Sequence, residues 1–332
     1  MRAVVLQSYG DTDVLRVAEV QDPTPGPEEV LVDVVATALN RADLLQRRGL
    51  YPSPPLGGFG LDAPEIPGME FSGRVAELGS RVTGLSIGQE VMGIVGGGGY
   101  AEKLVLHERQ AMAVPSSVSV ADAAAIPEVW ITAYDALVLQ GGLTAGRTAL
   151  VHAGGSGVGT AAIQLCKAIG AKVITTASTG KVEALRALGA DLVVDYTSED
   201  FVEACAGFTR GGGVDVVLDV IGGDYVDRNV AALRVGGTIV LVGVMGGFKT
   251  PVTVGALLSK RATIIGTTLR IRPLEEKIAV SRTVAAEVLP LFDAGLVRPV
   301  IDSRFALDDI AAAHDRMEAN ANLGKILVDV QP

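Results

Sequence analysis

The chemistry most legible in this 332-residue chain belongs to a run of glycines. Gly154, Gly155, Gly157 and Gly159, with Ser156 and Val158 between them, interrupt an uncharged stretch over residues 148–166. An apolar, strand-like segment enters this cluster, and a helical pattern through Ile163, Leu165 and Ile169 leaves it. Glycines at a strand-to-helix turn let the backbone approach a ligand closely. The helix start adds unpaired N–H groups and the positive end of a dipole, which together suit a pyrophosphate. Two other readings fit the same letters: a glycine-rich surface turn, or an uncharged membrane span. The glycines, His152 and Gln164 weigh against the span.

A dinucleotide site needs two further ends. Folds that prefer NAD place a carboxylate at the end of the second strand, about twenty residues on, to hold the ribose hydroxyls. Here residues 176–181 carry no carboxylate but do carry Ser178 and Lys181. Both could donate to a 2′-phosphate, although Lys181 also reads as a solvated lysine at a helix start. The nicotinamide end falls at 243–247, where Gly243, Met245 and Gly246 follow an apolar strand; a plain turn reads the same way.

Metal chemistry has little to work with. The histidines, His107, His152 and His314, are widely scattered, and Cys166 and Cys205 cannot build a four-cysteine zinc site.

The elements that must position these residues show two textures. From about 148 to 269, helix, glycine stop and apolar strand alternate: Gly170 and Gly189 each end a helix-like run before a strand-like one, and 214–220 and 238–242 are further β-branched runs. Such near-continuous apolar runs fit strands buried on both faces of a parallel, doubly wound α/β sheet. The first 120 residues look mostly β, with alternation over 30–36 and turn signals at Pro23, Pro25, Gly26 and Pro27. An irregular stretch follows Tyr51 (Pro52, Pro54, Pro55, Gly57, Gly58, Gly60), and 93–100 is another. A short helix is predicted over 40–48. Ser119 is predicted to cap a helix that opens the middle domain, a long helix is expected over 275–292, and 326–330 reads as a strand returning to the N-terminal domain.

Composition narrows the function. A net charge of −10 disfavours nucleic acid as a partner, and no Lys/Arg-rich block offsets it. The N-terminal apolar run is too short for a signal peptide, so a cytoplasmic protein with no membrane segment is expected. The segment 262–269 is expected to form the bare edge of the sheet, which invites pairing into a homodimer.

Four stretches carry a resemblance over essentially the whole length: 38–47 with Tyr51, 123–133, 152–165 and 314–326. On these the chain resembles the zinc-free medium-chain dehydrogenase/reductases. It is most similar to the zeta-crystallin-like quinone oxidoreductases, in the branch of the tumour-suppressor-inducible NADPH quinone oxidoreductase. The commonest glycine turn of that family has glycine where this chain has Ser156.

The resemblance implies a GroES-like catalytic domain (1–120 and 270–332) around a Rossmann NADPH-binding domain (121–269). It implies cofactor contacts from Thr132, Tyr196, Asn322 and Lys325, the last two being equally readable as closing a loop. It places Asn40, Asp43 and Tyr51 around the acceptor, a quinone or other electrophilic carbonyl, with Tyr51 in a lid or as a packed loop anchor. Zinc-dependent relatives have cysteine and histidine where this chain has Asn40 and Met69, so no metal is expected.

No acid or base is assigned, since a quinone yields a stabilised anion and asks mainly for positioning. The alternatives are an enone or enoyl-thioester reductase, with Arg41, Arg47 and Arg48 available to a thioester carrier, and a cofactor-binding structural or RNA-binding protein.

Overall fold

A computed structural model describes residues 1–51 and 65–331. The chain divides into two compact units, one of Met1–Glu128 with Leu269–Pro332 and one of Val129–Thr268. The expected boundary at 121 lies eight residues before this division.

The first unit begins with strands β1 (Arg2–Leu6), β2 (Leu15–Glu19), β3 (Glu29–Ala38), β4 (Glu70–Leu78), β5 (Glu90–Ile94), β6 (Lys103–His107) and β7 (Met112–Ala113). The second holds β8 (Thr148–Val151), β9 (Lys172–Ala177), β10 (Leu192–Asp195), β11 (Val214–Asp219), β12 (Leu233–Leu241) and β13 (Thr263–Gly266). The chain returns to the first unit with β14 (Ile301–Ala306) and β15 (Lys325–Asp329).

In the first unit β3 is the organiser. It pairs antiparallel with β4, β6 and β15, so three distant segments of chain meet on one strand. Its alternating burial follows from the pleat: Val30, Val32 and Val34 face a core shared with Val4, Phe71, Tyr100 and Val328. The C-terminal strand returns to this sheet, Leu327 lying opposite Ala38. The Ser119 hydroxyl accepts the Asp122 N–H and starts the short helix Val120–Ala123, which belongs to the first unit.

One expectation needs correction. The helix foreseen over 275–292 is two helices, Leu274–Glu287 and Leu289–Asp293, which meet at Val288. Pro290 has no N–H to give and its ring crowds the preceding turn, so the first helix stops and the second begins around it.

In the second unit six parallel strands lie in the order β10-β9-β8-β11-β12-β13. Their cores are Val, Ile and Leu on both faces. The two foreseen helix stops are left-handed glycines, Gly170 at φ 78° and Gly189 at φ 110°. After each, the chain turns back to bond the helix: Ala171 N–H reaches Cys166 O at 2.8 Å and Ala190 N–H reaches Leu185 O at 3.1 Å. The segment foreseen at 262–269 contributes β13, four residues long, at the sheet edge.

Candidate active site

The strand order reverses between β8 and β11, and ligands of such sheets bind outside the carboxyl ends of the strands at this point. The glycine turn lies there, directly after β8. Ser156 caps the helix Gly157–Ala168, its hydroxyl accepting the Gly159 N–H at 3.0 Å. The departure from the family's glycine is therefore a helix cap.

Gly159 admits no side chain, because a Cβ would meet Gly154 Cα at 2.6 Å and the Ala153 carbonyl. At Gly155 a Cβ would meet Lys181 Cδ at 2.5 Å, with Nζ at 3.5 Å. The stem of Lys181 therefore lies across the bare glycine and holds its ammonium beside the turn. Val158 sits half-buried in the first turn of the helix.

Ser178 opens the 3₁₀ turn Thr179–Lys181, which follows β9. Tyr196 joins the same corner: its N–H donates to Ala177 O at 3.1 Å and its side chain is exposed. A carboxylate also lies here, which a reading confined to 176–181 missed. Asp195 is paired in register with Ala177 and accepts from Thr197 N–H at 3.0 Å and Thr197 hydroxyl at 2.7 Å. Hydrogen bonds from Thr179 and Thr197 hold it below the usual carboxylate range. The signal that would have found it is parallel register, which puts the end of β10 beside the end of β9.

At the other end, the loop 243–247 packs on 219–222. Val242 N–H donates to Asp219 O at 2.8 Å and Gly246 N–H to Ile221 O at 2.7 Å. Gly243 is required by close approach, since a Cβ would meet Val220 O at 2.7 Å. Met245 is exposed on this loop, and Thr132 is half-buried on the helix Pro127–Tyr134.

The first unit has a polar cluster of its own, built where β3, β4 and β15 lie side by side. Lys325, at the start of β15, donates its three protons to Leu39 O, Asn40 Oδ1 and Glu70 Oε1, each at 2.7 Å. Glu70 also accepts Asn40 Nδ2 at 2.8 Å and, on its other oxygen, Glu128 N–H at 2.8 Å. Glu70 and Lys325 are both buried, and the pair persists because all three ammonium protons and both carboxylate oxygens have partners. As a cofactor contact, Lys325 would have to exchange one of these three bonds. Asn322 donates to Gly324 O at 2.8 Å.

Asn40 precedes the helix Arg41–Arg47, and its N–H donates to Asp43 Oδ2 at 2.7 Å. Burial pushes the Asp43 carboxyl up to about 6, against the opposing pull of the Asn40 N–H and the Lys325 charge. Nearby, burial and the Arg47 guanidinium push His314 down to about 3, so it is neutral. Arg47 is fully buried, bonded to Gly10 O at 3.1 Å and paired with Glu318. Arg48 shares Glu318 at 2.9 Å, and Arg41 reaches Asn320 Oδ1 at 2.6 Å. The fully buried Arg47 is thus out of reach of a thioester carrier.

Tyr51 is half-buried, and the Arg270 guanidinium lies 5.1 Å from its ring centre. Arg270 Nε–H donates to Gly96 O at 2.9 Å. Nothing in the sequence marked this arginine, which lies 219 positions from Tyr51 and reaches it only through the fold. The Pro/Gly-rich segment expected to form the lid lies outside the described residues.

Among the described residues, no group of three or more His, Cys, Asp or Glu is gathered to hold a metal. No helix of the described residues is long and apolar enough to cross a membrane. Both cysteines are buried, which pushes their thiols up to about 12 and removes them as nucleophiles.

Known proteins place these features in one family. Residues 26–116 match the alcohol dehydrogenase GroES-like domain, and residues 157–284 match the zinc-binding dehydrogenase domain. The synaptic vesicle membrane protein VAT-1 homolog of Homo sapiens is 31% identical over 347 residues, 99% of this chain and 86% of that protein. The 2-methylene-furan-3-one reductase of Solanum lycopersicum is 38% identical over 215 residues; the match spans 60% of this chain and about half, 53%, of that protein's length. The structure of Escherichia coli quinone oxidoreductase complexed with NADPH is similar at a TM-score of 0.88 and 28% identity, covering 99% of this chain and 100% of that one. The chain, a GroES-like domain with a Rossmann-type parallel sheet, belongs to the zinc-free medium-chain dehydrogenase/reductase family, which includes the quinone oxidoreductases.

Proposed function

We propose that this oxidoreductase takes its electrons from NADPH and reduces a quinone. The observation that carries the reading is the Lys181 stem lying across Gly155, with Ser178 three residues before it. The glycine turn packs too closely on Thr175 and on its own backbone to carry side chains at Gly154 or Gly159, and at Gly155 it meets only the Lys181 stem, a bare surface that suits a pyrophosphate. NADPH bound there supplies the hydride. Ser156 and the N–H groups at the helix start then hold the pyrophosphate, and Lys181 and Ser178, with Tyr196 beside them, hold the 2′-phosphate. The loop 243–247 holds the nicotinamide end. Asn40, Asp43 and Tyr51 take the acceptor, with Arg270 against the Tyr51 ring. No side chain is assigned as proton donor, because the reduced quinone is a stabilised anion and positioning does most of the work.

Lys181→Ala tests the cofactor. A charge-assisted hydrogen bond contributes about 1.5–3 kcal/mol, so NADPH affinity should fall roughly tenfold to a hundredfold while NADH affinity barely moves. Fluorescence titration of both nucleotides checks it. Equal losses would show that Lys181 does not read the phosphate.

Reduction of an activated C=C bond is the second reading, favoured by the likeness to the tomato reductase. Steady-state rates of NADPH oxidation with ortho-quinones, para-quinones and enones decide between them. We propose further that the protein is a cytoplasmic homodimer joined along β13, whose outer edge has no strand paired to it among the described residues. A monomer mass by light scattering at micromolar concentration would refute the dimer.

A further inference from the structure

We propose that His152, Asn229 and Asp219 form a positioning relay that locks the phosphate turn and the nicotinamide-end loop to one another; this rests on the cofactor reading above. His152 follows β8 and is fully buried, edge-on to Phe201 at 4.8 Å and Tyr225 at 4.9 Å. A histidine buried among rings reads as core, but both of its nitrogens have partners. Nε2 lies 2.7 Å from Asn229 Oδ1, and Nδ1 lies 3.1 Å from Thr176 Oγ1.

The direction of each bond follows from its far end. A carboxylate only accepts, so Asp219 Oδ2 takes the Asn229 amide N–H at 2.9 Å. Asn229 therefore turns its oxygen to His152, and His152 carries its proton on Nε2. Nδ1 is then an acceptor and takes the Thr176 hydroxyl proton. Thr176 Oγ1 in turn accepts the Ala153 N–H at 3.3 Å. Ala153 is the first residue of the turn and sits at φ 54°, a left-handed backbone that an alanine holds only when its surroundings impose it.

At its other end, Asp219 Oδ1 accepts Ile221 N–H at 2.6 Å and Gly222 N–H at 3.0 Å. Those residues carry the loop 243–247 through the Gly246–Ile221 bond and the Gly222–Gly247 bridge. Each bond on this path has one direction, and the two arms converge on the Asp219 carboxylate. Neither end can shift without breaking a buried bond.

Asn229→Leu removes the middle link and leaves the Thr176–Ala153 and Asp219–Gly222 bonds in place. A dinucleotide that spans both loops should feel the loss; a fragment that touches the turn and the 2′-phosphate corner but not the nicotinamide-end loop should not. Calorimetric Kd values for NADPH and for 2′,5′-ADP are measured on wild type and variant. NADPH affinity is expected to fall about tenfold, the scale of one buried hydrogen bond, while 2′,5′-ADP stays within about twofold. Should Asn229→Leu fail to fold, His152→Phe cuts the same link while filling the same aromatic slot. His152→Gln, which keeps a donor near the Nε2 position, should restore most of the NADPH affinity. Equal changes for the two ligands, or none, would overturn the relay and leave the cofactor reading standing. Wild type binding neither nucleotide would overturn both.

Discussion

The glycine turn of the second unit and the Lys325–Glu70 cluster of the first solve the same problem, holding charge in a protein, by opposite means. The turn is made from twelve contiguous positions, 148–159, and works through what its residues lack: side chains that would collide with the turn's own close packing. The cluster joins Asn40, Glu70 and Lys325, which are hundreds of positions apart at the extremes, and works through full mutual satisfaction. A site assembled from absence waits for its charge to arrive as a ligand. A site assembled from paired ions already holds its charge and resists change. Substitutions should therefore damage binding in the first case and folding in the second.

The largest expected effect tests the cluster. Lys325→Met leaves Glu70 buried with its charge unmatched, and breaking such a pair destabilises by about 3–5 kcal/mol. Denaturant unfolding measures it; a loss below about 1 kcal/mol would mean that the cluster is not a closed ionic unit.

Gly159→Ala is the counterpart in the turn. Its Cβ has backbone on the far side, so overpacking is expected to destabilise by about 1–3 kcal/mol, with NADPH affinity falling by more than stability alone explains. Nucleotide titration beside an unfolding curve separates the two. An unchanged Kd would show that the cradle is not the phosphate site.

Asp43 and His314 sharpen the comparison through pH. The folded-state value of Asp43 is raised to about 6 from 3.8, so between these values the native state binds the extra proton and stability falls as pH rises. His314 is lowered to about 3 from 6.5, so the unfolded state binds the extra proton and stability rises with pH over the overlapping window. Near pH 5 the two nearly cancel. Asp43→Asn removes one side, and the unfolding free energy should then climb about 1 kcal/mol more steeply per pH unit between pH 4 and 6 than in wild type. Identical slopes would show that Asp43 titrates as an ordinary carboxylate.

The smallest effect is expected at Tyr51. Tyr51→Ala should lower kcat/KM for bulky quinones by roughly tenfold or less and leave NADPH affinity in place. Wild-type kinetics with every acceptor would make Tyr51 a packed loop anchor, held by Arg270.

Local signals in the sequence determined most of the second unit. The apolar runs, the glycine stops at 170 and 189 and the glycine turn each depend on residues within a few positions of one another, because helix stops, strand burial and turns are governed by local backbone preference. The resemblance supplied Asn40 and Asp43 as neighbours, which the capping interaction of a short helix also brings together. Tertiary structure alone decided the rest. It assigned the protons of Lys325 to Leu39, Asn40 and Glu70, put Arg270 on Tyr51, set Asp195 beside the corner of Ser178 and Lys181, and joined His152 to Asp219 through Asn229. These pairings follow from strand register and crossover connections, which place residues side by side regardless of their distance along the chain. A lone histidine or a terminal lysine carries no local mark of the partner that the fold will bring to it.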